Sequence, residues 1–146
     1  MVDGIEKWRL ENFPGISMLE NPAISGDLAD PDRDGTINLF EYMFGGNPRA
    51  FAPNVRPVNS VSGGKLTLQF QRDARLFDLD YTVEVSDTLG TWTDLASGSG
   101  GDPLTAIIPG ATITETGAGP VKAVQVRDTL DVSSAPRRFM RLKVTR

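Results

Sequence analysis

Tyr81-Thr82-Val83-Glu84-Val85 sets large apolar residues against polar ones in strict alternation, and that period of two decides the fold of most of the chain. Successive side chains of a β-strand point to opposite faces, so such a run builds a strand with one buried face. The same period returns at Leu66, Leu68 and Phe70 upstream, and at Val124 and Val126, then Met140, Leu142 and Val144, downstream. Turn-forming residues separate these runs: Gly63-Gly64, Leu89-Gly90, Ser97 to Gly101, Pro109-Gly110 and Gly117 to Pro120. Roughly six to eight short antiparallel strands in this stretch predict a mainly β chain, folded as a β-sandwich.

Working towards the N-terminus, the period changes. Ala50 to Pro57 carries two prolines, Pro53 and Pro57, and reads as a linker. Before it, residues 1–49 read as a small helical segment, with residues 50–146 as the sandwich. Asp3 and Glu6 have the spacing of a capping box, and Ile5, Trp8 and Phe13 fall on one side of a short helix that must end before Pro14-Gly15. Ile37, Phe40 and Phe44 repeat at i, i+3 and i+7, the stripe of a second helix. Gly45-Gly46 supplies its C-cap, and Pro48 blocks its continuation.

Composition removes whole classes of chemistry. The sequence contains neither cysteine nor histidine, which excludes disulfides, thiolate metal sites, cysteine nucleophiles, Ser–His–Asp hydrolysis and histidine general bases. The net charge of −4 is uneven: residues 1–49 hold nine acidic and four basic side chains, the remainder ten and eleven. A nucleic-acid binder would need a basic surplus, and none is present. No apolar run reaches the about eighteen residues of a membrane span, and no signal peptide is visible, so the chain reads as a piece of something longer.

The acidic excess lies in one place. Asp30-Pro31-Asp32-Arg33-Asp34-Gly35-Thr36-Ile37-Asn38-Leu39-Phe40-Glu41 fits D-x-[DN]-x-[DN]-G-x5-E, the EF-hand calcium loop, at every position. Ca2+ is a hard cation that takes oxygen ligands, about six to eight of them, and carboxylates at positions 1, 3 and 5 approach it from one side of a tight turn. Asp30, Asp32 and Asp34 are those residues. Gly35 permits the sharp bend, Thr36 contributes its backbone carbonyl, Asn38 acts directly or through a water, and Glu41 closes the shell with both oxygens. Ile37 is expected to point inward and tie the loop to the core. The ordinary alternative is an acidic turn before a helix N-terminus, but gathering four carboxylates in twelve residues is then an unbalanced repulsion. Only one such loop occurs, which favours a structural ion of the weak, extracellular affinity range over a sensor.

Taken together, Trp8-Arg9 to Phe13, Gly26 to Gly35, Asn38-Leu39-Phe40-Glu41-Tyr42 and Gly45-Gly46-Asn47-Pro48 resemble the dockerin-type calcium segments of large secreted proteins of Verrucomicrobia and Planctomycetes, there followed by a β-rich C-terminal module. Tyr81 to Asp87, Trp92 to Leu95 and Arg138 to Val144 are similar to the later strands of discoidin-like jelly rolls, many of which bind carbohydrate. The resemblance implies a jelly-roll-like sandwich behind an EF-hand-like segment, and a bacterial extracellular or cell-surface location. It also implies a non-catalytic accessory role in which calcium stabilises the fold. The alternatives are a carbohydrate-binding module, with a polysaccharide as partner, and dockerin-like attachment to another surface protein. Cohesin-binding dockerins carry two calcium repeats and this chain has one.

Three further features have a functional and an ordinary reading. Trp92 follows the turn at Leu89-Gly90, where it either stacks on a sugar ring or closes one end of the β core. Arg137, Arg138, Arg141, Lys143 and Arg146 either bind acidic polysaccharide or protect an edge strand from aggregation. Asp73, Asp78 and Asp80 either form an acid pair or second metal site, or are ordinary acidic loop residues. Tyr81 is expected in the core, and Trp8 between the two helices.

Overall fold

The structure, a computed structural model, describes residues 4–52 and 56–146, and the chain divides into two compact units at Arg56/Pro57. The division falls inside the proline-bearing stretch that separates the helical and alternating patterns.

The second unit is all β and sandwich-like. Its strands are β1 (Val58–Ser62), β2 (Lys65–Asp73), β3 (Asp80–Ser86), β4 (Thr93–Ser99), β5 (Thr105–Ala106), β6 (Thr112–Thr116), β7 (Val121–Asp131) and β8 (Phe139–Thr145). They form two four-stranded sheets, β1-β2-β7-β6 and β5-β4-β3-β8, and every pairing is antiparallel. Gly63 and Gly64 both have positive φ, 58° and 76°, as a two-residue hairpin turn demands, and they set Ser62 opposite Lys65.

The period-two runs meet in one core. Leu68 and Phe70 of β2, Val124 and Val126 of β7, Tyr81, Val83 and Val85 of β3, Leu95 of β4 and Met140 of β8 are all buried. Leu142 and Val144 belong to the same inward phase but are only half-buried, because β8 is an edge strand. Tyr81 is fully buried with its hydroxyl unpartnered, and burial pushes its phenol up to about 12. Tyr81→Phe removes that cost, so it is expected to leave stability unchanged or raise it by up to about 1 kcal/mol. A clear loss in urea unfolding would show that the hydroxyl is bonded.

Two expectations from the sequence need correction. In a jelly roll, strands are dealt almost alternately to the two sheets. Here β1–β2, β3–β4 and β6–β7 are hairpins within a sheet, and β1-β2-β7-β6 has the A-B-E-D order used by immunoglobulin-type sandwiches. The glycine-rich tip is also shorter than Ser97 to Gly101 suggests. Strand β4 runs through Ser99 with Gly98 paired to Tyr81, and a Cβ at Gly98 would lie 3.2 Å from Leu104, which favours glycine there.

The first unit holds α1 (Ile5–Asn12), the single turns α2 (Ile16–Leu19) and α3 (Pro22–Ser25), and α4 (Asn38–Phe44). Ile5 and Phe13 are buried, and Trp8 packs edge-on to Phe13 and tilted against Tyr42, each at 5.9 Å between ring centroids, so it joins α1 to α4. Asp3, the expected cap, lies outside the described residues, and Gly4 occupies the N-cap position with no side-chain bond. The buried stripe of α4 is Leu39, Tyr42 and Met43, not Ile37, Phe40 and Phe44, which are half-buried. Periodicity located the helix but misplaced its buried face: Ile37 is the N-cap, and Phe40 and Phe44 stack on each other at 5.8 Å. The helix entering the acidic loop is only the four-residue α3, so a full helix–loop–helix EF-hand is not present among the described residues.

Candidate metal centre

The acidic loop is folded by its own side chains. Asp34 N–H donates to Asp32 Oδ1 (3.2 Å), Gly35 N–H to Asp30 Oδ2 (3.0 Å) and Thr36 N–H to Asp34 Oδ1 (2.7 Å), so each aspartate holds a backbone amide further along the turn. Gly35 has φ 88° and Arg33 φ 62°, the left-handed positions that let the backbone curl around a centre. Two main-chain bonds close the base, Asn38 N–H to Ala29 O (2.8 Å) and Leu39 N–H to Asp27 O (3.0 Å). Asp27 in turn accepts from Arg9 of α1.

This curl gathers carboxylates. Ligand oxygens of Asp30, Asp32 and Asp34 lie within 4.8 Å of one another. Glu41, one turn into α4, is 1% exposed, and the charges of all three aspartates act on it. Burial first, then Asp34, Asp32 and Asp30, push its carboxyl up to about 7. Asp32 is likewise raised, mainly by burial. Asp34 moves the other way, held down chiefly by the Ala52 N–H on its outer oxygen.

The unpartnered atoms are concentrated here. Of the eight buried side-chain nitrogen and oxygen atoms without a hydrogen bond among the described residues, six are oxygens of this loop: Asp30 Oδ1, Asp32 Oδ2, Thr36 Oγ1, Asn38 Oδ1 and both Glu41 Oε atoms. Buried acceptors left unpaired cost about 1–3 kcal/mol each, more when charged, so folds do not normally collect them. A divalent cation among them would satisfy the oxygens and turn carboxylate repulsion into attraction. An all-oxygen, carboxylate-rich set of this kind fits a hard cation. Of the six residues expected from the sequence, Asp30, Asp32 and Asp34 form one group, Glu41 feels the charge of all three, and Thr36 and Asn38 each carry an unpartnered buried side-chain oxygen. Asn38 also braces the loop, since its Nδ2 donates to Ile24 O and Gly26 O (2.8 Å each) and ties α3 to α4. Ile37, expected to point inward, is half-buried at the start of α4.

Gly46 is a member of the site that the calcium motif does not include. The left-handed Gly45 ends α4 (φ 71°, ψ 29°), and Gly46 N–H donates to Glu41 O (2.8 Å). A Cβ at Gly46 would overlap the Glu41 carboxylate. Gly46→Ala is thus expected to displace that carboxylate and weaken cation binding by about tenfold or more, a supporting-residue effect on metal affinity. Calorimetric titration checks this, and unchanged affinity would mean that Glu41 is not a ligand.

The other candidates do not converge. Asp73 is bound by Arg75 (2.6 Å), Asp80 accepts from Ser99 Oγ, and among the described residues Asp73, Asp78 and Asp80 do not form a three-residue metal-holding group. Of the C-terminal bases, Arg138 bridges Asp128 (2.6 Å) and Asp87 (3.0 Å), and Arg141 and Lys143 flank Glu84 at 2.6 and 3.7 Å. These bases line edge strand β8 and its flank. The Arg141 guanidinium also lies 3.9 Å over the Trp92 ring, whose Nε1–H donates to Leu89 O (3.1 Å). One face of the half-buried indole is therefore covered by a cation.

No protein-family model matches this sequence, and no curated protein matches it either.

Proposed function

We propose that residues 30–41 bind one calcium ion through Asp30, Asp32, Asp34, Thr36, Asn38 and Glu41, and that the chain is a non-catalytic accessory module of a larger secreted or cell-surface bacterial protein, in which the ion stabilises the fold. The observation that carries this reading is the concentration of six unpartnered buried oxygens in one twelve-residue turn. Calcium, rather than magnesium, suits a shell of this many protein oxygens, since magnesium demands tight octahedral geometry and keeps its waters. When bound, the ion supplies charge balance and fixes the turn. The protein's own residues do the rest: the aspartates shape the loop, Asn38 ties α3 to α4, and Gly46 leaves room for Glu41.

The direct test is calorimetric titration of the full chain with calcium and with magnesium. One calcium per chain is expected, with magnesium weaker and Glu41→Gln much weaker. A wild-type chain that takes up no calcium at millimolar concentration rejects the reading.

A further inference from the structure

Beyond Glu41 the chain does not leave the metal loop. Gly45 stops α4, a turn over Asn47 to Ala50 is fixed by Arg49 N–H to Asn47 Oδ1 (3.0 Å) and Ala50 N–H to Asn47 O (3.1 Å), and the backbone returns to the loop's outer side. There Ala52 N–H donates to Asp34 Oδ2 (3.0 Å), and the Arg56 guanidinium donates through Nη2 to Asp34 O (2.6 Å). Asp34 is thus held from both sides. Its Oδ1 carries the Thr36 amide within the loop, and its other oxygen and its carbonyl carry residues about twenty positions downstream. Gly35 makes this approach possible, because a Cβ there would overlap Arg56 Nη2.

We propose that Ala52 and Arg56 form an outer clamp on Asp34 that sets how tightly the loop holds its cation, with Arg56 a positioning residue rather than a ligand. The proposal rests on the calcium reading and extends the site from residues 30–41 to Ala52 and Arg56. Physically, a monodentate aspartate ligand has one oxygen to spare. Fixing that spare oxygen and the adjoining carbonyl lowers the freedom that Asp34 must lose when the cation binds. The EF-hand pattern ends at its twelfth position and contains no signal for this contribution.

Charge alone makes the opposite prediction. A guanidinium close to a cation site repels the incoming ion, so neutralising Arg56 would tighten binding if Coulomb repulsion were the larger effect. The two effects therefore differ in sign, and calorimetry of calcium binding to the full chain separates them. Arg56→Gln is expected to weaken calcium binding by about tenfold, within the usual range for partners that orient metal ligands. Arg56→Lys, which keeps a donor, should recover part of the loss. Ala52→Pro removes the other donor without altering charge and should weaken binding in the same direction. Arg49→Gln, which removes a nearby positive charge outside the clamp, should stay within about twofold of wild type.

Equal or tighter calcium binding by either Arg56→Gln or Ala52→Pro overturns the clamp while leaving the calcium site standing. Equal weakening by Arg49→Gln and Arg56→Gln also overturns it. Absence of calcium binding by the wild type removes both the site and the clamp.

Discussion

Chelation is expected to lower the melting temperature of the first unit by about 10–20 °C, a range that follows from the size of its core and the linkage of folding to ion binding. The unit has a small core, with Ile5, Phe13, Leu39, Tyr42 and Met43 as its buried apolar side chains. Domains of this size bury a modest share of their surface and are marginal without a staple. An ion present at a hundred times its dissociation constant contributes about 2.7 kcal/mol to the state that binds it. In a small domain each kcal/mol moves the midpoint by about 4–8 °C, which gives the stated range. Removal of the ion also exposes the repulsion among Asp30, Asp32, Asp34 and Glu41, which acts in the same direction. The measurement is thermal unfolding followed by Trp8 fluorescence in a Trp92→Phe background, in millimolar calcium and in excess EGTA. In calcium, Glu41→Gln should melt close to the chelated wild type. Indifference to both chelation and Glu41→Gln would reject calcium as a structural ion.

How much of this was legible depended on whether the information was local. The alternation of Tyr81, Val83 and Val85 is visible because a strand exposes its periodicity residue by residue, and all three side chains are buried. The gathering of Asp30, Asp32 and Asp34 was legible for the same reason: the three lie within five positions, and their spacing is set by one turn of backbone. What the sequence concealed was set by neighbours distant along the chain. The buried face of α4 is chosen by Trp8 and the other residues that pack on it, so Leu39, Tyr42 and Met43 displaced the expected Ile37, Phe40 and Phe44. Strand order is likewise non-local, since the alternation in β2 does not say that β7, some fifty residues on, lies beside it. One further local signal lies in the charged residues of the strands. Arg72 continues the inward phase of Leu68 and Phe70, and Asp128 continues that of Val124 and Val126. A charged residue in an inward phase implies a buried partner, and the two partners are Glu115 and Arg138.

Arg72→Ala is expected to destabilise the β unit by about 3–5 kcal/mol, the usual consequence of removing one member of a buried ion pair. The Arg72 side chain is 1% exposed and Glu115 13%. Arg72 donates Nε to both Glu115 oxygens (3.1 Å each), Nη2 to Glu115 Oε2 (2.8 Å) and Nη1 to Gly101 O (3.1 Å). Glu115 Oε1 also accepts from Leu104 N–H (3.0 Å). One guanidinium therefore joins β2, β6 and the turn after β4, and its loss leaves a largely buried carboxylate with a single amide for company. Much of the cost is that stranded charge rather than the bond itself. The double variant Arg72→Met, Glu115→Gln removes both charges, keeps the volume and retains an acceptor for Leu104. It should recover most of the loss, ending within about 1–2 kcal/mol of wild type. Urea unfolding of Arg72→Met, of Glu115→Gln and of the double variant closes the cycle. Strictly additive losses would mean that the two side chains do not act as a pair, and an Arg72→Ala cost below about 1 kcal/mol would place the guanidinium in solvent.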